Sequence, residues 1–199
     1  MILGLVGCVA RERRGATIIE FALVCPVMLL LMMGLSDLAY QGYLQAVLTG
    51  AVQKAARDST IDGNGTGAAD AIIDNKVEAM VAHIASNVTW DTPSRENYAH
   101  FSDVGPEYFF DSNGNGKYDK GECFIDSNGN GVWDADPGTT GQGGANAVVV
   151  YQMGFTYPRL FPFTKLIGWS TTVHIVAKTI MKNQPYTYTT IADDTKVCS

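Results

Sequence analysis

The longest apolar stretch in the chain runs from Ala16 to Leu35, twenty residues with one charge, Glu20. At about 1.5 Å of rise per residue, a helix of this length spans the ~30 Å hydrocarbon core of a bilayer. No polar stripe interrupts it, as it would in a half-buried helix of a soluble core. Pro26 falls inside the run, where membrane helices tolerate it. Arg11, Arg13 and Arg14 precede the span, whereas Asp37 follows it and the next base is Lys54. This asymmetry predicts a single pass with residues 1–14 in the cytoplasm and the remainder outside. A cleaved secretory signal fits less well, because the span is long and no A-x-A site follows it.

Beyond the span the pattern changes period. Leu38, Leu44, Val47, Leu48, Ala51, Val52 and Ala55 recur at three- and four-residue steps through Ser36–Arg57, so the helix is expected to continue as an amphipathic rod. The run Asp62–Gly67 breaks it. A second helix is predicted over Ala68–Ser86, with Ile72, Ile73, Val77, Met80, Val81 and Ile84 on one stripe and Thr66 as its cap. Short strands are expected near Asn87–Trp90 and Tyr98–Phe101. A longer one is expected over Ala147–Tyr157, and a returning strand over Ser170–Lys182 after a proline-punctuated loop. The fold class is therefore α+β, with a long N-terminal transmembrane helix and a second helix packed on an antiparallel sheet. The boundaries are a leader over residues 1–15, the helix and its extension over 16–57, and an exported domain over 58–199.

Charge narrows the function classes. The chain carries 14 Lys+Arg against 20 Asp+Glu, a net of −6. The leader holds three Arg and one Glu, +2, so its removal leaves −8. An acidic exported body argues against nucleic-acid binding and suits divalent cations. No C-x-x-C, H-E-x-x-H, G-x-S-x-G or phosphate loop occurs, and His83, His100 and His174 are scattered. Neither catalysis nor a small-molecule substrate is expected.

Two features remain. The first is Arg13-Arg14-Gly15-Ala16-Thr17-Ile18-Ile19-Glu20-Phe21. It resembles the processing site of type IV prepilins, and the form G-A-T-x-x-E-F-A-L-x-x-P is similar to the TadE-like minor pseudopilins of tight-adherence (Flp) pilus systems. Met181-Lys182-Asn183-Gln184-Pro185-Tyr186 is close to the closing stretch of that family, with Gln184 in place of its acidic residue. The resemblance implies cleavage by a prepilin peptidase between Gly15 and Ala16. It also implies assembly through Glu20 and Phe21 with other pilin or pseudopilin subunits and an inner-membrane platform. Glycine at the last leader position leaves the backbone open to a protease. Glu20 lies ~6 Å into the helix, where a carboxylate needs a partner. The implied partner is the new N-terminal amine of a neighbour.

The second feature, within an insert over residues 108–146, is a pair of calcium-loop patterns. In the first, Asp111, Asn113 and Asn115 supply oxygens at positions 1, 3 and 5. Gly116 makes the turn, Lys117 offers its carbonyl, Asp119 stands at position 9 and Glu122 closes at position 12. Fifteen residues on come Asp126, Asn128, Asn130, Gly131, the Val132 carbonyl and Asp134. Position 12 is then Pro137, so Asp136 is the expected substitute. The tandem resembles calcium repeats of exported bacterial proteins, with strand-like flanks. Calcium is thus the expected cofactor, in a structural role. Cys8 lies in the leader and Cys25 in the span. Cys123 and Cys198 are exported, where an oxidising compartment would join them; two free thiols is the other reading. The function expected is a pseudopilin-like component in a bacterial inner membrane. The alternative is a membrane-tethered, calcium-stabilised binding module unrelated to pili.

Overall fold

The computed structural model describes residues 13–62, 67–161, 165, 168–184 and 194–198, with side chains given from Thr17 onward except over 60–62 and 67–69. The expected leader before Arg13, the Thr66 cap and Pro185-Tyr186 lie outside the described residues.

Helix α1 runs unbroken from Arg13 to Asp62, through Pro26 and five residues beyond the expected end at Arg57. Its N-terminal half is apolar on all sides and exposed. Ile18, Phe21, Leu23, Leu31 and Leu35 are each more than 60 % accessible. So continuous an apolar surface is untenable in water, and this helix is long and apolar enough to cross a membrane.

The chain divides into two compact units. The first holds α1 as far as Tyr43, together with Pro158–Val173. Within it Arg159 is the organising residue. Its Nη1 donates to the buried carboxylate of Asp37, its Nε to the Ser170 carbonyl at 3.0 Å, and its backbone N–H to the Thr171 carbonyl at 2.9 Å. An ion pair this enclosed holds only when both partners are present.

The second unit, Leu44–Tyr157 with His174–Ser199, contains the core. Helix α2 spans Gly67–Ala82. Strands follow at β1 (Thr89–Trp90), β2 (Ser94–Tyr98), β3 (Phe124–Asp126), β4 (Thr139–Thr140), β5 (Val148–Pro158), β6 (Thr172–Lys182) and β7 (Thr195–Val197). Strand β5 is the centre of the main sheet. One edge pairs antiparallel with β2 along Ser94↔Gln152 to Tyr98↔Val148, and then with β1 at Thr89↔Thr156. Strand β6 pairs with β5 as well, and β4 extends the sheet from β2. Val148, Val149, Val150, Tyr151, Met153 and Phe155 are all buried, as expected of a strand covered on both faces. Gly154 is required there: a Cβ would stand 3.0 Å from the Ile175 carbonyl of β6.

The outer part of α1 buries Leu44, Leu48, Val52 and Ala55, and α2 buries Ile73, Val77 and Val81; Leu38 and Ile72, expected on those stripes, are 62 % and 59 % exposed. Gln45 Nε2 donates to the Val176 carbonyl at 2.9 Å, fixing α1 over β6. Helix α2 is fixed by a polar cluster. Arg95 Nη1 and Nη2 donate to Asp74 at 3.1 and 2.5 Å, the Tyr151 hydroxyl donates to Asp74 at 2.6 Å, and the guanidinium lies 4.4 Å over the Tyr151 ring. Burial and then the Asp74 hydrogen bond push the Tyr151 hydroxyl well above its ordinary pKa, so it stays a donor. Asp74→Ala strands the buried Arg95 charge, leaving it Asp70 at 3.5 Å and the Tyr151 ring. The expected cost is about 3 kcal/mol, read as a lower unfolding midpoint of the detergent-solubilised chain. An unchanged midpoint would show that α2 is held by apolar packing alone.

This cluster explains a displaced strand. The sequence places a strand at Tyr98–Phe101, but β2 is Ser94–Tyr98, and Phe101–Asp103 is a 3-10 turn. Arg95 and Glu96 hide the β2 pattern, because Arg95 points inward to Asp74 rather than to solvent.

A paired candidate metal centre and the N-terminal helix

Both loop sequences adopt one conformation. In the first, Asp111 Oδ1 accepts the Gly114 and Asn115 N–H groups at 2.7 and 3.2 Å, and Oδ2 accepts Gly116 N–H at 2.7 Å. In the second, Asp126 Oδ1 accepts Gly129 and Asn130 at 2.7 and 3.3 Å, and Oδ2 accepts Gly131 at 2.8 Å. Gly116 and Gly131 sit at φ +73° and +76°, a turn that side chains resist. These donors hold the Asp111 carboxyl below its usual pKa, the Gly116 bond foremost, against the opposing effect of desolvation.

Position 9 gathers the amides in the same way twice. Asn113 and Asn115 both direct Nδ2 to Asp119 Oδ2 at 2.6 Å, while Asn128 and Asn130 direct theirs to Asp134 Oδ2 at 2.8 and 2.6 Å. Half a turn about the last side-chain bond would present an amide oxygen instead. Lys117 and Val132 donate their backbone N–H groups to the Asn115 and Asn130 Oδ1 atoms at 2.7 and 2.6 Å. With the four amides turned in that way the donor set would be oxygen throughout, which suits a hard cation.

The two carboxylates expected at position 12 are placed differently. Glu122, buried, accepts Ser112 N–H at 2.7 Å through Oε1 and Asp119 N–H at 3.1 Å through Oε2. Asp136 has no such place in the second loop. It accepts the Tyr98 hydroxyl at 2.8 Å and Gly138 N–H at 3.1 Å. The place is taken by Glu107, upstream of both loops and 3 % exposed. Its Oε1 accepts Ser127 N–H at 2.9 Å and its Oε2 accepts Asp134 N–H at 2.9 Å. The signal was in the sequence: Glu107 precedes Asp111 by the same four positions by which Glu122 precedes Asp126.

The flanks mirror each other too. Phe110 N–H donates to the Cys123 carbonyl and Ile125 N–H to the Tyr108 carbonyl, both at 2.8 Å, about a Phe109↔Phe124 bridge. At position 8 of each loop Tyr118 and Trp133 stack, centroids 4.8 Å apart and 13° from parallel. Strand β3 pairs with β7 from Phe124↔Val197 to Asp126↔Thr195, and a Cys123–Cys198 disulfide lies beside that ladder. Separately, His100 Nδ1 lies 3.4 Å from Asp103 and 3.8 Å from Asp194. Asp103 is already committed to His100 N–H and the Ser102 hydroxyl, so this group is a polar tie for residue 194.

The other predicted site residues lie on α1. Gly15 and Ala16 fall in its first turns, and Glu20 and Phe21 are exposed on its apolar part. Residues 15–57 match the family described as TadE-like protein. The match covers the membrane-competent part of α1 and most of its buried extension, and leaves the rest of the chain outside. No curated protein and no solved structure matches the chain. The family likeness points to a membrane-associated component of a tight-adherence pilus, a structural rather than an enzymatic kind of protein.

Proposed function

We propose that the chain is a minor pseudopilin-like component of a tight-adherence (Flp) pilus assembly or secretion system. In this reading a prepilin peptidase cuts between Gly15 and Ala16. The mature chain stays in a bacterial inner membrane with its N-terminus cytoplasmic, and the domain beyond α1 lies in the periplasm or outside. Its partners are other pilin or pseudopilin subunits and the assembly platform. The observation that carries the reading is the family match over residues 15–57, which falls on one continuous helix that contains the expected cleavage point. The insert is read as a calcium-stabilised element. Asp111, Asn113, Asn115, Asp119, Glu122 and the Lys117 carbonyl would hold one ion. Asp126, Asn128, Asn130, Asp134 and the Val132 carbonyl would take part in holding another. What supports it is the Asp, Asn and Glu side chains of two loops of matching conformation.

Cleavage is the direct test. Intact mass of the membrane-extracted protein, produced with and without a prepilin peptidase, should differ by the mass of residues 1–15. A chain that keeps Met1 would remove the pseudopilin reading and favour a tethered calcium-stabilised module; one cut after the apolar span would remove both, since the domain would be released from its anchor.

A further inference from the structure

The insert is an internal duplication whose copies complete each other. The repeat begins four residues before each loop: Glu107-Tyr108-Phe109-Phe110-Asp111-Ser112-Asn113-Gly114-Asn115-Gly116 is followed, fifteen positions on, by Glu122-Cys123-Phe124-Ile125-Asp126-Ser127-Asn128-Gly129-Asn130-Gly131. Equivalent residues make equivalent bonds across the pair. Glu122 N–H donates to the Asp119 carbonyl and Glu107 N–H to the Asp134 carbonyl, each at 3.0 Å. The side chains repeat the exchange, the second copy's Glu122 reaching the first loop and the first copy's Glu107 reaching the second. Each glutamate is thus the opening residue of one repeat and the closing residue of the other repeat's loop.

We propose that the two loops form one reciprocally closed pair of calcium sites, with Glu107, not Asp136, as the closing carboxylate of the second. This rests on the calcium reading above and extends it in two ways. The second site becomes complete, with a buried carboxylate where the sequence shows proline. The sites also become interdependent, because each ion pulls on a glutamate that begins the partner repeat and shares the Phe109↔Phe124 bridge. Filling one loop orders the strand from which the other is closed, so the second ion binds to a partly preorganised site. Loss of either glutamate therefore weakens both sites.

The probe is calcium itself, titrated calorimetrically into the full chain in detergent, with terbium luminescence sensitised by Tyr118 and Trp133 as a second readout. Wild type should bind two ions. Glu107→Gln should abolish one and weaken the remaining site about tenfold or more, the gain expected to be lost when a loop is no longer pre-ordered. Asp136→Asn should still bind two with unchanged affinity. In an Asp111→Ala background, which removes a first-loop ligand, adding Glu107→Gln should abolish the remaining binding, whereas adding Asp136→Asn should not.

The failures separate. No binding by wild type removes the calcium reading itself. Two ions in wild type and two of unchanged affinity in Glu107→Gln, or loss of an ion in Asp136→Asn, overturns the reciprocal pair and leaves calcium standing. A single ion in wild type, indifferent to Glu107→Gln, does the same. The Asp136→Asn arm leaves Glu107 intact, so it decides the question even if Glu107→Gln folds poorly.

Discussion

Removing calcium from the full chain in detergent is expected to lower its melting temperature by about 10 °C or more. Binding to the folded state alone stabilises by roughly 2.7 kcal/mol per ion when free calcium is a hundred times the dissociation constant. Loops of exported modules bind at about 10⁻⁴ to 10⁻³ M, so ~10 mM calcium approaches that condition for the tighter end of the range. Two ions then give about 5 kcal/mol, and each kcal/mol moves the midpoint of a chain this size by roughly 2–4 °C. The Phe109↔Phe124 bridge, the Tyr118–Trp133 stack and the β3–β7 ladder hold the centre of the insert, so the ions act on its acidic loops. Glu107, just before the insert, and Glu122 and Asp126 within it are buried, and Asp111 and Asp119 stand in the same loop as Glu122. The Cys123–Cys198 bond limits how far the ion-free insert can open, since it closes a loop across a sequence separation of 75. A closure of that length is worth about 4 kcal/mol in the chain-entropy account. Reduction should therefore enlarge the calcium-dependent shift. Asp111→Ala combined with Glu122→Ala should shrink it. Equal midpoints with and without chelator, in reduced and oxidised chain alike, would remove calcium from the account.

How much of this was legible in the sequence depended on whether a pattern was local. The membrane span needs only a count of apolar residues, and α1 carries it as read. The three- and four-residue recurrence after Ser36 identified the buried face, because Leu44, Leu48, Val52 and Ala55 all sit on it. Strands β5 and β6 were visible through their β-branched and aromatic content, to within a residue or two at each end. What failed was non-local. Strand β2 carries Arg95 and Glu96, and only the Asp74–Tyr151 cluster, far away in sequence, makes an inward arginine acceptable. Strands β4 and β7 are too short to show a period and exist because β2 and β3 offer them an edge. The place of Glu107 against the second loop was hidden for the same reason. The motif counts forward from Asp126 and meets Pro137, whereas the structure reaches backward to Glu107. Counting the repeat from its glutamate, rather than from its first aspartate, would have exposed it.

At the other end of the chain, Glu20→Ala is expected to separate processing from assembly. A peptidase that recognises Gly15 and the basic leader acts at the scissile bond, and Glu20 lies beyond it, so cleavage should stay largely intact. Assembly should not. Glu20 sits exposed on an apolar helix among Ile18, Ile19, Phe21 and Leu23, a setting where a carboxylate without a partner is costly. In the pseudopilin reading its partner is the amine of Ala16 on a neighbouring subunit, freed by cleavage. Breaking one side of such a pair in a low-dielectric setting costs on the order of 3–5 kcal/mol, a loss of ~10²-fold or more in association. Glu20→Gln keeps the shape and removes the charge, so it should behave like alanine if charge pairing is the cause. Glu20→Asp keeps the charge on a shorter stem and should recover part of the loss. The measurement is co-purification with partner pilus subunits, alongside pilus yield, in a strain that relies on the variant. Normal cleavage with full assembly in both uncharged variants would reduce Glu20 to an interfacial residue. The pseudopilin mechanism would then lose its central contact, and the tethered calcium-stabilised module would become the better account of the chain.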